Sequence, residues 1–152
     1  MRIEPTSPDS EGARALIAMS DAYMAELYPS ESNHLESVQA LIGPNVYFLG
    51  CFLEDQIVGC GAVKVLSDDG DYGEIKRVFV VEGHRGKGCS RALMEALEKH
   101  LEEVGIVLAR LETGIRQPEA LGLYRRLGYL ERGPFGMYAV DPLSVFMEKR
   151  LG

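Results

Sequence analysis

A glycine-rich segment near the middle of the chain has the residue types and spacing of a phosphate-binding turn. It runs GHRGKGCS from Gly83 to Ser90, follows the strand-like run Glu74–Val81, and precedes a segment with helical spacing of leucines. Glycines let successive backbone N–H groups turn toward one anion, and a following helix N-terminus adds partial positive charge. Arg85 and Lys87 bring further positive charge. The segment is a candidate pyrophosphate site, although a tight strand-to-helix turn with solvated charges would look similar.

Two common phosphate motifs do not fit this segment. A P-loop requires lysine directly after its last glycine, and Cys89 stands there, so the β- and γ-phosphates would have no cation. The dinucleotide fingerprint requires a third glycine where this chain has Arg91, whose side chain would obstruct close helix–strand packing. A third pattern, R-x-x-G-x-[GA], matches residues 85–90 except that Ser90 replaces Gly or Ala.

A second motif lies downstream, in LETGIRQPEALGLYRRLGY, residues 111–129. With the strand and turn before it, this stretch resembles the GNAT superfamily of acyl-CoA-dependent N-acetyltransferases, whose pattern is N-x-x-A-x-x-L-Y-x-x-x-G-[FY]. The positions that match are Ala120, Leu123, Tyr124, Gly128 and Tyr129. Gln117 departs from the pattern: it stands where Asn is common, keeps an amide and reaches further.

The resemblance implies acetyl transfer from acetyl-CoA to a primary amine of a small molecule by direct attack in a ternary complex. Such a reaction needs a neutral amine, a donor for the developing oxyanion and a proton for the leaving thiolate. By resemblance, Tyr124 is the acid, Glu74 is the base and the Val80 N–H is the oxyanion donor. In a regular strand Glu74, Lys76, Val78 and Val80 would share one face. The implied cofactor contacts are Val78, Phe79, Val80, Arg85, Gly86, Lys87, Gly88, Cys89, Ser90, Gln117 and Tyr124.

Cys89 offers a different mechanism. A thiol near a helix N-terminus and basic residues can become nucleophilic, which would permit a ping-pong route through an acyl-cysteine. The alternative is a small core residue, because this position in the family normally packs an aliphatic side chain.

The early helices, the central strand and the late loop usually form the acceptor cleft of this fold. Here the candidate acceptor contacts are Tyr28, Glu31, His34 and Tyr138. Their segments resemble those of a group of small bacterial GNAT proteins. Two sets of charges indicate different acceptors: Glu31 and Asp141 suit a cationic amine, whereas Arg125, Arg126 and Arg132 suit an amine that also carries a carboxylate.

The composition excludes several classes of protein. A net charge of −7 disfavours a nucleic-acid-binding surface, and no apolar stretch is long enough to span a membrane. Three cysteines without CxxC spacing indicate neither a disulfide framework nor a zinc site, so we expect no metal and a cytoplasmic location. The length of 152 residues indicates a single domain over residues 1–152. Exposed strands near the C-terminus would permit a homodimer.

The periodicity predicts an α/β (α+β) domain with the GNAT fold: a mixed, largely antiparallel central sheet flanked by helices. We predict helices over Glu11–Tyr28, Leu35–Ile42, the segment after the glycines to about Gly105, and Pro118–Leu127. The predicted strands are residues 1–5, Val46–Leu53, Ile57–Leu66, Glu74–Val81, Val107–Thr113, Tyr129–Glu131 and Val145–Lys149.

Three rival functions remain open at this stage. One is an acyl-CoA sensor of the same fold without turnover, and another is a protein or peptide N-acetyltransferase. The third is a flavin- or nucleotide-binding module, which the failed fingerprints disfavour.

Overall fold

A seven-stranded mixed sheet with four flanking α-helices makes up the part of the chain that the computed structural model describes, residues 1–33 and 35–152. The strands are β1 (Arg2–Pro5), β2 (Val46–Leu53), β3 (Gln56–Leu66), β4 (Tyr72–Val80), β5 (Leu108–Gly114), β6 (Leu130–Arg132) and β7 (Ser144–Arg150). The helices are α1 (Glu11–Leu27), α2 (Val38–Leu41), α3 (Cys89–Glu103) and α4 (Pro118–Arg126). The predicted fold class is confirmed.

The strand order is β1-β2-β3-β4-β5-β7-β6, and only the central pair, β4 and β5, is parallel. A parallel pair needs a long crossover, which α3 provides here. α3 and α4 contribute to the apolar cluster on one face of the sheet, whereas α1 and α2 pack on the opposite face. The sheet is therefore covered on both sides at its centre.

Helix α1 begins at a serine cap, since the Ser10 side chain accepts a hydrogen bond from the Ala13 N–H. Its buried face consists of Ala13, Leu16, Ile17 and Ser20, at the helical spacing of three and four residues. Met19 follows Leu16 at the same helical spacing but is 47% exposed. An apolar side chain on a half-buried helix indicates the period but not which stripe meets the sheet.

A β-bulge interrupts β4 at its centre. Cys60 of β3 pairs with Phe79, but Ala62 pairs with Lys76, so Arg77 and Val78 together oppose a single residue. Arg77 has a φ of 59°, in the left-handed region that costs an L-residue about 1–2 kcal/mol. The extra residue shifts the alternation of side chains from that point onward.

The bulge overturns the predicted shared face of β4. Glu74 lies on the α1 face with its neighbour Lys76, whereas Val78 and Val80 pack into the cluster beneath α3 on the other face. The buried Arg77 side chain points to the α1 face, where it donates to the Glu36 carbonyl at 2.7 and 2.9 Å. The two halves of β4 therefore serve different sides of the sheet.

Strands β4 and β5 separate beyond the bulge. Their pairing is confined to Gly73–Ile75 against Ala109–Leu111, although both strands continue for several residues. The unpaired ends leave a gap in the centre of the sheet between Val78–Val80 and Glu112–Gly114. Every feature of the candidate site surrounds this gap.

Candidate active site

A cavity of about 600 Å³, termed the cofactor cavity, lies on the α3 side of the gap, between the glycine turn and α4. The residues that line it are Tyr23, Val78, Phe79, Val80, His84, Arg85, Gly86, Gly88, Cys89, Ser90, Arg91, Gln117, Glu119, Ala120, Leu123, Tyr124 and Arg126. Ten of the eleven predicted cofactor contacts are in this set. Lys87 is outside it, and its ammonium lies 3.2 Å from Nδ1 of His84 at the cavity edge.

The glycine turn has the local geometry of an anion cradle. Gly86 and Gly88 have φ values of 80° and 84°, and a Cβ at either position would meet no atom within 4 Å. Gly88 caps α3 without any side-chain hydrogen bond, so the N–H groups of the first helical turn are left for a ligand. These observations fit the pyrophosphate of CoA.

The end of β4 presents backbone groups to the gap. The Val81 N–H donates to the Val58 carbonyl at 2.9 Å, so the adjacent N–H, that of Val80, points away from β3. The Val80 carbonyl points the same way and accepts from Nε of Arg85 at 3.1 Å. The Arg85 guanidinium also lies over the Phe79 ring, which fixes the arginine at the cavity rim.

Cys89 lies in the core beside Cys51. Its side chain is 2% exposed and contacts the Cys51 thiol, whose pKa is raised to about 12, mainly by burial. Both belong to the apolar cluster that includes Leu93. The environment is that of a packed core residue and not of an exposed nucleophile.

We expect Cys89→Ala to retain acetyl transfer within about twofold and to lower the free energy of unfolding by about 1 kcal/mol. Steady-state thiol release and thermal unfolding measure the two effects. Mass spectrometry of the wild type mixed with acetyl-CoA alone is the control, and a stoichiometric acetyl adduct on Cys89 would overturn the direct-attack mechanism.

A second cavity, of about 90 Å³, lies on the opposite side of the gap, toward α1 and the loop before β7. Its polar lining includes Tyr28, Glu36, Glu74, Lys76, Glu112, Gln117, Tyr124 and Tyr138. It adjoins a third, outer cavity of about 590 Å³, with which it shares Leu35, Glu36, Glu74, Lys76 and Tyr138. The 90 Å³ cavity is the candidate acceptor site and is termed the acceptor cavity.

The 600 Å³ cavity and the 90 Å³ cavity share three lining residues, which are Val78, Gln117 and Tyr124. Tyr124 projects from α4 and is 8% exposed, and burial raises the pKa of its hydroxyl to about 12. Gln117, at the N-cap of α4, accepts a hydrogen bond from the Tyr28 hydroxyl at 3.2 Å. A thioester held at this junction would be open to an amine from the other side.

Glu74 is tightly held within the acceptor cavity. Its Oε2 accepts from the Tyr138 hydroxyl at 2.5 Å and from Nζ of Lys76 at 3.1 Å. Lys76 also pairs with Glu36 at 3.3 Å. The carboxylate predicted as the base is therefore already engaged by a cation and a phenol.

Glu112 is a carboxylate that our sequence reasoning missed. Its Oε2 accepts from the Ser144 hydroxyl at 2.8 Å, and burial raises its pKa to about 7. The signal was present: within the predicted strand Val107–Thr113, Glu112 alternates with apolar residues and thus occupies a defined face. Only its position beside the gap makes that face relevant.

The predicted acceptor contacts have different outcomes. Tyr28 and Tyr138 line the acceptor cavity. Glu31 does not: it is exposed, and its carboxylate is bonded only to Ser30 among the residues that the structure describes. His34 lies outside the described residues.

The arginines that would suit an acceptor carboxylate do not line the acceptor cavity. Arg125 pairs with Glu131 at 3.0 Å, and Arg132 pairs with Glu148 at 2.6 Å. Arg126 lines the cofactor cavity instead. Over residues 1–33 and 35–152 there is also no group of three potential metal ligands and no helix long and apolar enough to cross a membrane.

Comparison with known proteins decides the family. The model of the acetyltransferase (GNAT) family matches residues 14–129. The chain belongs to the GNAT family. It is thus an N-acetyltransferase, as the glycine turn and the Tyr124 motif predict.

Relatives within the GNAT family cover nearly the whole chain. An IAA acetyltransferase of Azospirillum brasilense is 43% identical over 95% of this chain and 94% of its own length. YsnE of Bacillus subtilis, an uncharacterized N-acetyltransferase, is 35% identical over 84% of this chain and 85% of its own length.

Solved GNAT structures share the fold over almost every residue. A Klebsiella pneumoniae protein classed with the acyl-CoA N-acyltransferases superposes with a TM-score of 0.83 at 37% identity, over 99% of this chain and 97% of its own. An aminoglycoside 6'-N-acetyltransferase complexed with coenzyme A has a TM-score of 0.72 at 16% identity, over the same shares of the two chains. The second likeness concerns the fold alone.

Proposed function

We propose that residues 1–152 act as one domain that transfers the acetyl group of acetyl-CoA to the primary amine of a small cationic molecule. One observation carries this proposal: the cofactor cavity and the acceptor cavity share the lining residues Val78, Gln117 and Tyr124. Two substrates bound on opposite sides of the sheet would meet there, which supports direct attack in a ternary complex.

CoA binding would depend mainly on backbone groups. The first-turn N–H groups of α3 and the glycines at 86 and 88 would hold the pyrophosphate, with Arg85 and Ser90 at its edge. Residues 78–80 would pair with the pantetheine as an added strand, because their outward backbone groups face the gap. When bound, acetyl-CoA supplies the thioester.

Tyr124 is the proposed acid. Its raised pKa means that the hydroxyl enters the reaction with its proton throughout the working range of pH, so it can act as a donor to the departing thiolate. The Val80 N–H is the proposed oxyanion donor because it faces the same gap. Glu36, Glu74 and Glu112 line the acceptor cavity and are the carboxylates that the amine would meet.

The charges of the acceptor cavity support a cationic amine without a carboxylate. Of its two cations, Lys76 is paired with Glu36 and Glu74, and Arg77 with Asp21 at 2.7 Å. These ion pairs leave Glu112 as the carboxylate without an ion-pair partner among the described residues. A bound ammonium group would compensate its charge.

A ligand panel tests the cofactor assignment. We expect acetyl-CoA or CoA at about 100 times its Kd to raise Tm by roughly 5–10 °C, because binding only to the folded state stabilises it by about 2.7 kcal/mol. NAD and ATP serve as matched adenine nucleotides and should shift Tm much less. Stabilisation by NAD or ATP but not by CoA would contradict the proposal.

An amine panel with detection of free thiol tests turnover. It should contain phenethylamine, putrescine, a free amino acid and a lysine peptide, and the cationic small amines should give the highest kcat/KM. Turnover of the peptide alone would favour a protein N-acetyltransferase. CoA binding without turnover of any amine would favour an acyl-CoA sensor.

A further inference from the structure

Glu112 lines the acceptor cavity from β5, the strand next to the one that carries Glu74. It lies on β5 two residues beyond Arg110, which pairs with Glu74 across the parallel ladder, so the side chains of all three lie on one face of the sheet. Its carboxylate is held by Ser144 of β7 and lines the same cavity as Tyr124. It is thus placed to reach an amine directed at the junction of the two cavities.

The two carboxylates differ in what already binds them. Oε2 of Glu74 is engaged by the ammonium of Lys76 and by the proton that the Tyr138 hydroxyl donates. Glu112 accepts one hydrogen bond, from the neutral Ser144 hydroxyl, and no cation of the described chain lies within ion-pair distance. Glu112 can therefore change its charge without breaking an ion pair.

We propose that Glu112 accepts the proton of the acceptor amine, while Glu74, fixed by Lys76 and Tyr138, holds that amine in position. The assignment rests on the proposed N-acetyltransferase function. It gives the proton to a residue other than the one that the family resemblance predicts.

The surroundings of Glu112 suit a group that titrates near neutrality. Burial is the largest effect and raises its pKa to about 7; the charges of Glu74 and Asp141 also raise it, and Ser144 and Lys76 lower it. The tyrosines whose own pKa values respond to Glu112 are Tyr28, at the end of α1, and Tyr138. A base with a pKa near the working pH is efficient both at accepting a proton and at releasing it.

These residues account for every proton that moves in the reaction. An ammonium substrate loses two protons overall: Glu112 takes the first and releases it to solvent, which leaves a nitrogen lone pair. That pair forms the bond to the carbonyl carbon, and the carbon–sulfur bond breaks with its electrons on sulfur. Sulfur takes a proton from Tyr124, which recovers one from the same nitrogen through solvent.

The experiment compares Glu112→Gln with Glu74→Gln, using phenethylamine and acetyl-CoA across pH 5.5–9. In the wild type, kcat/KM should fall tenfold per pH unit below about 7 because protonated Glu112 cannot act. Glu112→Gln should lose that break and fall about 100-fold at pH 8, retaining only the dependence on free amine. Glu74→Gln should keep the break, at a slightly lower pH, and raise the KM for the amine.

A readout that needs no turnover accompanies the rates. The folded-state pKa of Glu112 is raised, so its proton favours the folded state; that stability is complete below about pH 4.5 and is lost as pH rises through about 7. Glu112→Gln lacks this titrating group. The Tm of the variant minus that of the wild type should therefore increase by roughly 5 °C between pH 5 and pH 8. A difference in Tm between the variant and the wild type that does not change with pH would contradict the proposed titration of Glu112.

The outcomes separate the two proposals. A break near pH 7 that persists in Glu112→Gln and disappears in Glu74→Gln would overturn the assignment of Glu112 and restore Glu74 as the base. Absence of turnover by the wild type with every amine of the panel would contradict the proposed function itself.

Discussion

Tyr124→Phe should lower kcat by about 100-fold while the KM for acetyl-CoA changes by no more than about twofold. The substitution keeps the ring, which packs edge-on against Tyr129 in the apolar cluster, and removes only the hydroxyl at the junction of the two cavities. Without that hydroxyl the thiolate leaves unprotonated, and this penalty arises in the transition state alone. The measurement is steady-state thiol release, with CoA affinity determined separately by thermal shift.

Tyr129→Phe is the matched control for this variant. Its hydroxyl donates to Glu98 at 2.8 Å, on the α3 side of the core and away from both cavities. Losing that bond should lower the free energy of unfolding by about 1–3 kcal/mol because Glu98 is buried, and kcat should be retained. Equal kcat for Tyr124→Phe and the wild type would remove Tyr124 from the mechanism.

Gly88→Asp should raise the KM for acetyl-CoA by roughly 100-fold. Aspartate tolerates the left-handed conformation of this residue better than other side chains, and its oxygen can bond the free N–H groups at the start of α3. The side chain would thus occupy the donors that the pyrophosphate needs and repel its charge. Losing two charge-assisted hydrogen bonds corresponds to about 3 kcal/mol, which is the stated factor.

Gly105→Asp separates this effect from backbone strain. Gly105 follows the other end of α3 with a nearly identical φ of 81° and the same open surroundings. It should unfold slightly more easily, because a negative charge is unfavourable at a helix C-terminus, yet bind CoA normally. Equal KM values for the two variants would show that the turn at Gly88 does not hold the pyrophosphate.

The local parts of this protein could be predicted from the sequence. The turn from β4 into α3 and the α4 motif around Tyr124 are each contained in one continuous segment, and their function depends on backbone conformations set by neighbouring residues. The same holds for the strands and helices, whose bounds agree with the predicted ones to within a few residues. The largest difference is at the second helix, which covers Val38–Leu41 of the predicted Leu35–Ile42.

The lining of the acceptor cavity could be predicted only in part because its residues are brought together from distant segments. Tyr28 and Tyr138 were found through the resemblance of their segments to family members. Glu112 was not, since a single acidic residue in a strand is usually solvated, and nothing in its neighbouring sequence indicates that β4 has separated from β5 beside it.

The sequence by itself determined the fold class, and it led to the proposed cofactor turn and the proposed acid, Tyr124, because each follows from local periodicity or a contiguous motif. The tertiary structure alone decided which side of the sheet each half of β4 faces. An extra residue at Arg77 reverses the alternation, and a bulge depends on the register with β3, which no single strand encodes. That reversal places Glu74 on the side of the acceptor cavity and Val80 on the side of the cofactor cavity, and Glu112 of the neighbouring strand β5 lines the acceptor cavity as well.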